Sequence, residues 1–158
     1  MCSGKSTVAA AVAAQLSASF VDLDEVVTQQ VGKSPVKIID DDGEEEFRRL
    51  ETKFLNDVLK AGSAVIALGG GTWIKPVNRE LIRSYHAVTF WLDAPFDLCW
   101  SRITAESTDR PLGRDSAVAR RLYEMRRGSY ELADRRIDAN ENKSVAEIAA
   151  EIVSYAGQ

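Results

Sequence analysis

Little in this sequence suits a zinc or disulfide centre. It holds two cysteines, Cys2 and Cys99, far apart along the chain, and a single histidine, His86. Neither cysteine has the company a zinc site requires, one histidine cannot build such a site alone, and no disulfide is expected. His86 reads as a surface or strand-edge residue. No apolar run approaches the ~20 residues that span a bilayer, and no charged, apolar, small-residue leader precedes the first motif. A net basic balance is also lacking, with a formal net charge of −4. That argues against nucleic acid or a membrane surface as partner, where a basic face supplies the attraction. It leaves room for a few arginines gripping a small anion. Prolines number only four, with no low-complexity linker, so the 158 residues suit one compact domain spanning 1–158. A cytoplasmic, monomeric, globular protein is the expectation.

What is present alternates between strand-like and helix-like apolar patterns, the mark of an α/β domain with a parallel sheet. Residues 6–16 read as an Ala- and Val-rich helix, and 20–24 as a short strand ending in two carboxylates. Ser34 before Pro35 predicts a helix N-cap with proline in the first turn. Residues 44–59 carry Phe47, Leu50, Phe54, Leu55 and Val58 at helical spacing. A buried strand over 64–68 runs into Gly69-Gly70-Gly71. Residues 77–84 suit a helix, 87–92 a strand and 96–104 a short helix. The polar stretch 105–116 reads as a mobile loop. Helix 117–127, an edge strand over 135–139 and an amphipathic helix over 144–155 complete the chain.

The first motif is Ser3-Gly4-Lys5-Ser6-Thr7 at the start of the first helix. Backbone N–H groups at a helix N-terminus attract a phosphate chain, a lysine neutralises it, and a serine hydroxyl ligates Mg²⁺. Gly4, Lys5 and Ser6 fill the last places of G-x-x-x-x-G-K-[ST]. The first glycine of that pattern would lie two places before Met1. The reading therefore expects a first strand and loop glycine that this sequence does not hold, and expects a chain extended upstream to be more stable and more active.

Further features bear on an acceptor. Asp22 and Asp24 alternate with Val21 and Leu23, so a strand would project both carboxylates from one side. One can hold metal-bound water while the other orients a hydroxyl and receives its proton; two solvated acids at a strand end are the plainer reading. The glycine triplet sits at the carboxyl end of a strand, where open α/β sheets bind ligands, and bare residues let backbone amides approach closely. Arg48 and Glu51 are three apart on one helix face. Glu51 could hold the Arg48 guanidinium toward a carboxylate, although an exposed ion pair of small energetic weight is the ordinary expectation for such a pair.

Taken in order, SGKST, FVDLDE, DGEEEFRRLE, LGGGT, DRPLG and the segment 126–130 resemble the shikimate kinases over nearly the whole chain. The resemblance implies a three-layer α/β/α P-loop kinase with a parallel sheet of order 2-3-1-4-5, its first strand missing here, and a mobile lid over about 105–119. It implies ATP-dependent phosphorylation of shikimate to shikimate 3-phosphate in aromatic amino acid biosynthesis, with ATP and Mg²⁺ as cofactors. Lys5, Asp24 and Arg110 would be catalytic, with Asp24 as base and Arg110 swinging over the phosphates. Ser3, Gly4, Lys5, Ser6, Thr7, Arg102 and Arg110 would bind nucleotide. Asp24, Arg48, Gly70, Gly71 and Arg126 would bind shikimate, the two arginines through its carboxylate. Ser6 would ligate the metal, and Asp22 would reach it through water. Another small-molecule P-loop kinase, such as a gluconate or nucleoside-phosphate kinase, and a non-catalytic kinase-like binding module are the competing readings.

Overall fold

The computed structural model describes residues 3–62, 64–105 and 115–156. In chain order these form α1 (Lys5–Leu16), β1 (Ser19–Asp22), α2 (Leu23–Val31), α3 (Pro35–Asp42), α4 (Glu44–Ala61), β2 (Ala64–Ala67) and α5 (Gly70–Ile74). There follow α6 (Pro76–Ser84), β3 (Phe90–Asp93), α7 (Phe96–Ala105), α8 (Ser116–Tyr130), β4 (Arg135–Asp138) and α9 (Val145–Ala156). The chain divides into two compact units, one formed by Val12–Ala87 and the other by residues up to Ala11 together with those from Val88 onward.

The first unit is built on β1 and β2, which pair in parallel from Ser19↔Ala64 to Asp22↔Ala67. A parallel pair needs a long crossover, and α2, α3 and α4 supply it. Ser34 accepts from the Lys37 N–H at 3.2 Å with Pro35 in the first turn, so α3 starts where the sequence predicts. The eighteen residues of α4 turn Phe47, Phe54, Leu55 and Leu59 inward, against Leu23, Val27 and Ile38 of the preceding helices. Full burial of each such side chain is worth about 1.5–3 kcal/mol, so the apolar stripe of α4 outweighs its intrinsic propensities as the source of its stability.

In the second unit β3 and β4 pair in parallel from Phe90↔Arg135 to Asp93↔Asp138, joined through α7 and α8. Its interior comprises Phe96, Cys99 and Ile103 of α7, Ile137 of β4, and Ile148 and Ile152 of α9. A reciprocal cap starts α9: the Ser144 N–H donates to Glu147 at 2.8 Å, and the Glu147 N–H donates to the Ser144 hydroxyl at 3.2 Å.

The architecture is α/β, with parallel strands as expected. The described strands pair as β1 with β2 and β3 with β4. Of the stretch read as a lid, residues 106–114 lie outside those described, whereas Ala105 ends α7 and Ser116 begins α8 behind an Asp115 cap. No helix among the described residues is long and apolar enough to cross a membrane.

Candidate active site

The unit containing Val12–Ala87 gathers Asp24, Arg48, Gly69, Gly70 and Gly71. Strand β1 ends at Asp22, not at Asp24, which corrects the expectation of two carboxylates on one strand face. Asp22 is instead the N-cap of α2: its Oδ1 accepts from the Asp24 N–H at 3.0 Å. An aspartate preceding a helix gains more by satisfying an unpaired N–H than by extending the strand. Asp24 thus stands in the first turn of α2, its Oδ1 only 3.2 Å from where a Cβ on Gly69 would lie. A bare Gly69 is what lets that carboxylate approach the turn.

Arg48 is held from two sides. Its Nη1 donates to Glu51 at 2.6 Å, and its Nη2 and Nε donate to Glu44 at 3.1 and 3.3 Å. Burial opposes the charge on this guanidinium, but the bonds to Glu51 and Glu44 outweigh it and raise its pKa above the ordinary arginine value. The exposed pair that spacing suggested is not what forms, because Glu51 is 1% exposed. Its second oxygen accepts from the Thr72 hydroxyl at 2.5 Å. Both oxygens of a buried carboxylate are thereby occupied, the condition under which burying it is tolerated.

The glycine triplet does not form an open turn. Gly69 precedes α5, and Gly70 and Gly71 form its first residues. A Cβ on Gly71 would collide with Arg48 Nη1 and lie 2.6 Å from Cζ and Nη2. The guanidinium therefore packs flat on bare backbone, which fixes its plane as well as its position. Arg48 also borders an open cavity of about 680 Å³ whose walls include Asp42, Glu45, Arg49, Lys53 and Lys75.

The phosphate motif lies at the start of α1, whose first part belongs to the other unit. Gly4 has φ +86°, a left-handed conformation that side chains disfavour. Its carbonyl accepts from Val8 N–H at 2.9 Å and opens the helix. The first N–H groups of a helix have no acceptor within it, so Lys5, Ser6 and Thr7 present the end that favours anions. Lys5 is half-buried, and Ser6 and Thr7 are exposed. Arg102 on α7 reaches this loop, with Nη1 3.5 Å from a Cβ built on Gly4. Ser3 precedes the helix, half-buried. Arg110 lies outside the described residues.

Arg126 and Arg127 on α8 are neighbours in sequence with different roles. Arg127 grips Asp93 at the end of β3 with both terminal nitrogens, at 2.8 and 3.2 Å, over the Trp91 ring. Arg136 completes the clamp at 2.6 Å. Arg126 bonds Tyr130, whose hydroxyl is pushed up by burial and partly relieved by that arginine. Among the described residues the buried Arg126 Nε finds no hydrogen-bond partner, an unmet donor of the kind ligands satisfy.

Sequence reasoning assigned nothing to Thr72, Asn78 or Asp93, all buried. Thr72 follows the glycine triplet directly, and that adjacency was a usable signal; Asn78 and Asp93 carried none.

The shikimate kinase family model matches residues 1–156. The chain is 36% identical over 155 residues to a shikimate kinase of Synechococcus sp. (strain JA-3-3Ab), covering 96% of this chain and 81% of that one. It is 34% identical to that of Salinibacter ruber, covering 97% and 79%. Among solved structures, shikimate kinase from Aquifex aeolicus superposes with TM-score 0.86 at 33% identity over 99% of this chain and 92% of its own. The Acinetobacter baumannii enzyme, solved in complex with shikimate, gives TM-score 0.90 at 29% identity over 99% and 88%. With Ser3-Gly4-Lys5-Ser6-Thr7 opening the first helix, an arginine seated on bare glycine and whole-chain similarity of this kind, the chain belongs to the shikimate kinase family.

Proposed function

We propose that this protein transfers the terminal phosphoryl group of ATP to the 3-hydroxyl of shikimate. The observation that carries the reading is Arg48, clamped by two glutamates and laid flat on Gly71. A planar guanidinium held in a fixed plane suits a carboxylate, and shikimate offers one carboxylate on a small ring of hydroxyls. Asp24, beside the bare Gly69, is the acceptor for a ring hydroxyl and its proton. The backbone of Gly70 and Gly71 lines the ring side, and Arg126 is assigned to the carboxylate on the family resemblance alone.

The residues present fit a nucleotide. Gly4 in its left-handed conformation opens α1, Lys5 stands at the helix start, and Arg102 flanks the loop. Lys5 would neutralise the phosphates, with Ser3, Gly4 and Thr7 contributing to their cradle, and Arg102 would pack on the base. Ser6 would ligate Mg²⁺; Asp22 is assigned one of its waters on the family resemblance alone. The metal, when bound with ATP, supplies charge neutralisation at the transferred group. Arg110 is assigned to the phosphates on the family resemblance alone. Phosphoryl transfer needs alignment and charge balance more than covalent chemistry, and this chain's contribution is fixed donors and one base.

Coupled ADP release with shikimate and Mg²⁺ tests the assignment. Turnover should depend on shikimate and not on gluconate or nucleoside monophosphates. Arg48→Ala should weaken shikimate binding and leave the ATP KM nearly intact. Equal loss of both would sink this division of roles.

A further inference from the structure

Asn78 on α6 is completely buried and has no place among the groups assigned to substrate. Its side-chain amide joins two elements. Nδ2 donates to the Thr72 carbonyl on α5 at 2.9 Å, and Oδ1 accepts from the Thr52 hydroxyl on α4 at 2.8 Å. Thr52 Oγ1 also lies 3.0 Å from the Arg48 carbonyl, so its single proton is shared between two acceptors. Thr72 in turn donates its own hydroxyl to Glu51, which holds Arg48. The contacts close a ring through Arg48, Glu51, Thr72, Asn78 and Thr52.

A side chain that merely filled this space could be apolar. What the amide adds is a fixed separation between α4 and Thr72, the residue of α5 that directly follows Gly71. That separation is critical because Arg48 and Gly71 meet with no room for one further carbon. The next residue works on the same short helix: Arg79 Nη1 donates to the carbonyls of Trp73 and Ile74 at 2.9 and 2.7 Å. Helix α5 has too few residues to fix itself, and α6 ties down three successive carbonyls from its middle to its C-terminal end.

We infer that Asn78 is a positioning residue for the substrate carboxylate: by tying the Thr72 carbonyl to Thr52, it sets the spacing between Arg48 and the glycine backbone. The inference rests on the shikimate reading above.

The test is steady-state kinetics and thermal melting of the full chain and its variants. Asn78→Ala should raise the shikimate KM about tenfold while kcat and the ATP KM stay within about twofold. In an Arg48→Ala background the same change should add little, because both act through one contact. A purely structural asparagine would lower the active fraction, reducing kcat with both KM values unmoved, and its effect would be additive with Arg48→Ala. Either result overturns the inference. If Asn78→Ala does not fold, Thr52→Val removes the other end of the tie and should raise the same KM about threefold; an unmoved KM there also overturns it. The unaltered chain is measured first. Absence of shikimate-dependent turnover overturns the functional reading, whereas turnover with unmoved KM values in the variants overturns only the role of Asn78.

Discussion

The guanidinium of Arg48 rests on the Cα of Gly71, with Cζ only 2.6 Å from where a side chain would begin. Gly71→Ala therefore sets a methyl against a group that Glu51 and Glu44 hold in place. The far end of a flexible side chain can yield, so the fold should survive and the melting temperature change little. Displaced from its plane, Arg48 should bind a carboxylate worse, and the shikimate KM is expected to rise about tenfold or more with the ATP KM unchanged. Kinetics with each substrate varied in turn checks this.

Glu51→Gln keeps the shape of the buried carboxyl and removes its charge. Arg48 then loses its closest counter-charge in a half-buried setting, at a cost of about 2–3 kcal/mol. Urea denaturation should show a lower midpoint with an unchanged slope. A midpoint equal to that of the parent would mean the pair contributes nothing to stability.

Gly4→Ala forces a side chain into φ +86° at the start of α1. The strain of about 1–2 kcal/mol falls on the loop that presents the helix N-terminus. The ATP KM should rise severalfold while the shikimate KM holds, the reverse of the Gly71→Ala pattern. Isothermal titration with an ATP analogue and with shikimate separates the two.

The cap on α9 gives a pH signature. Bonds from the Ser144 hydroxyl and backbone N–H hold the Glu147 carboxyl below its ordinary value of 4.5. A carboxyl depressed in the folded state stabilises above its unfolded pKa, and that contribution is lost as pH falls through the folded value. The stability difference between the parent and Glu147→Gln should thus be flat near neutrality and shrink below about pH 4.5. Melting curves across that range provide the measurement.

Much of this molecule was legible from residue order. Helix α4 declared itself by apolar spacing, α3 by Ser34 and Pro35, and the start of α1 by Gly4, Lys5 and Ser6. Arg48 and Glu51 were readable as neighbours, but not as a buried pair. Burial depends on Thr72, twenty-one residues away, accepting a role opposite Glu51, and spacing within one helix carries no such information. The Asp22–Asp24 reading failed for a local reason: alternation predicts a shared face only while the strand continues, and an aspartate can end it by capping a helix. Asn78 was invisible because one polar residue on an amphipathic helix looks like its solvent side. Gly71 was expected to admit a ligand; the structure shows that it first admits an arginine.

The Asp93 clamp reaches further than its own contacts. Successive residues on a helix point about 100° apart, so pinning Arg127 to β3 sets the rotational phase of α8. Arg126 inherits its heading from that phase, much as the hand of a clock follows the spindle. The anion affinity proposed for Arg126 then becomes sensitive to Asp93, an acid outside the groups assigned to substrate. Asp93→Asn should loosen that heading, and a shikimate KM that stayed constant would show the phase to be set elsewhere.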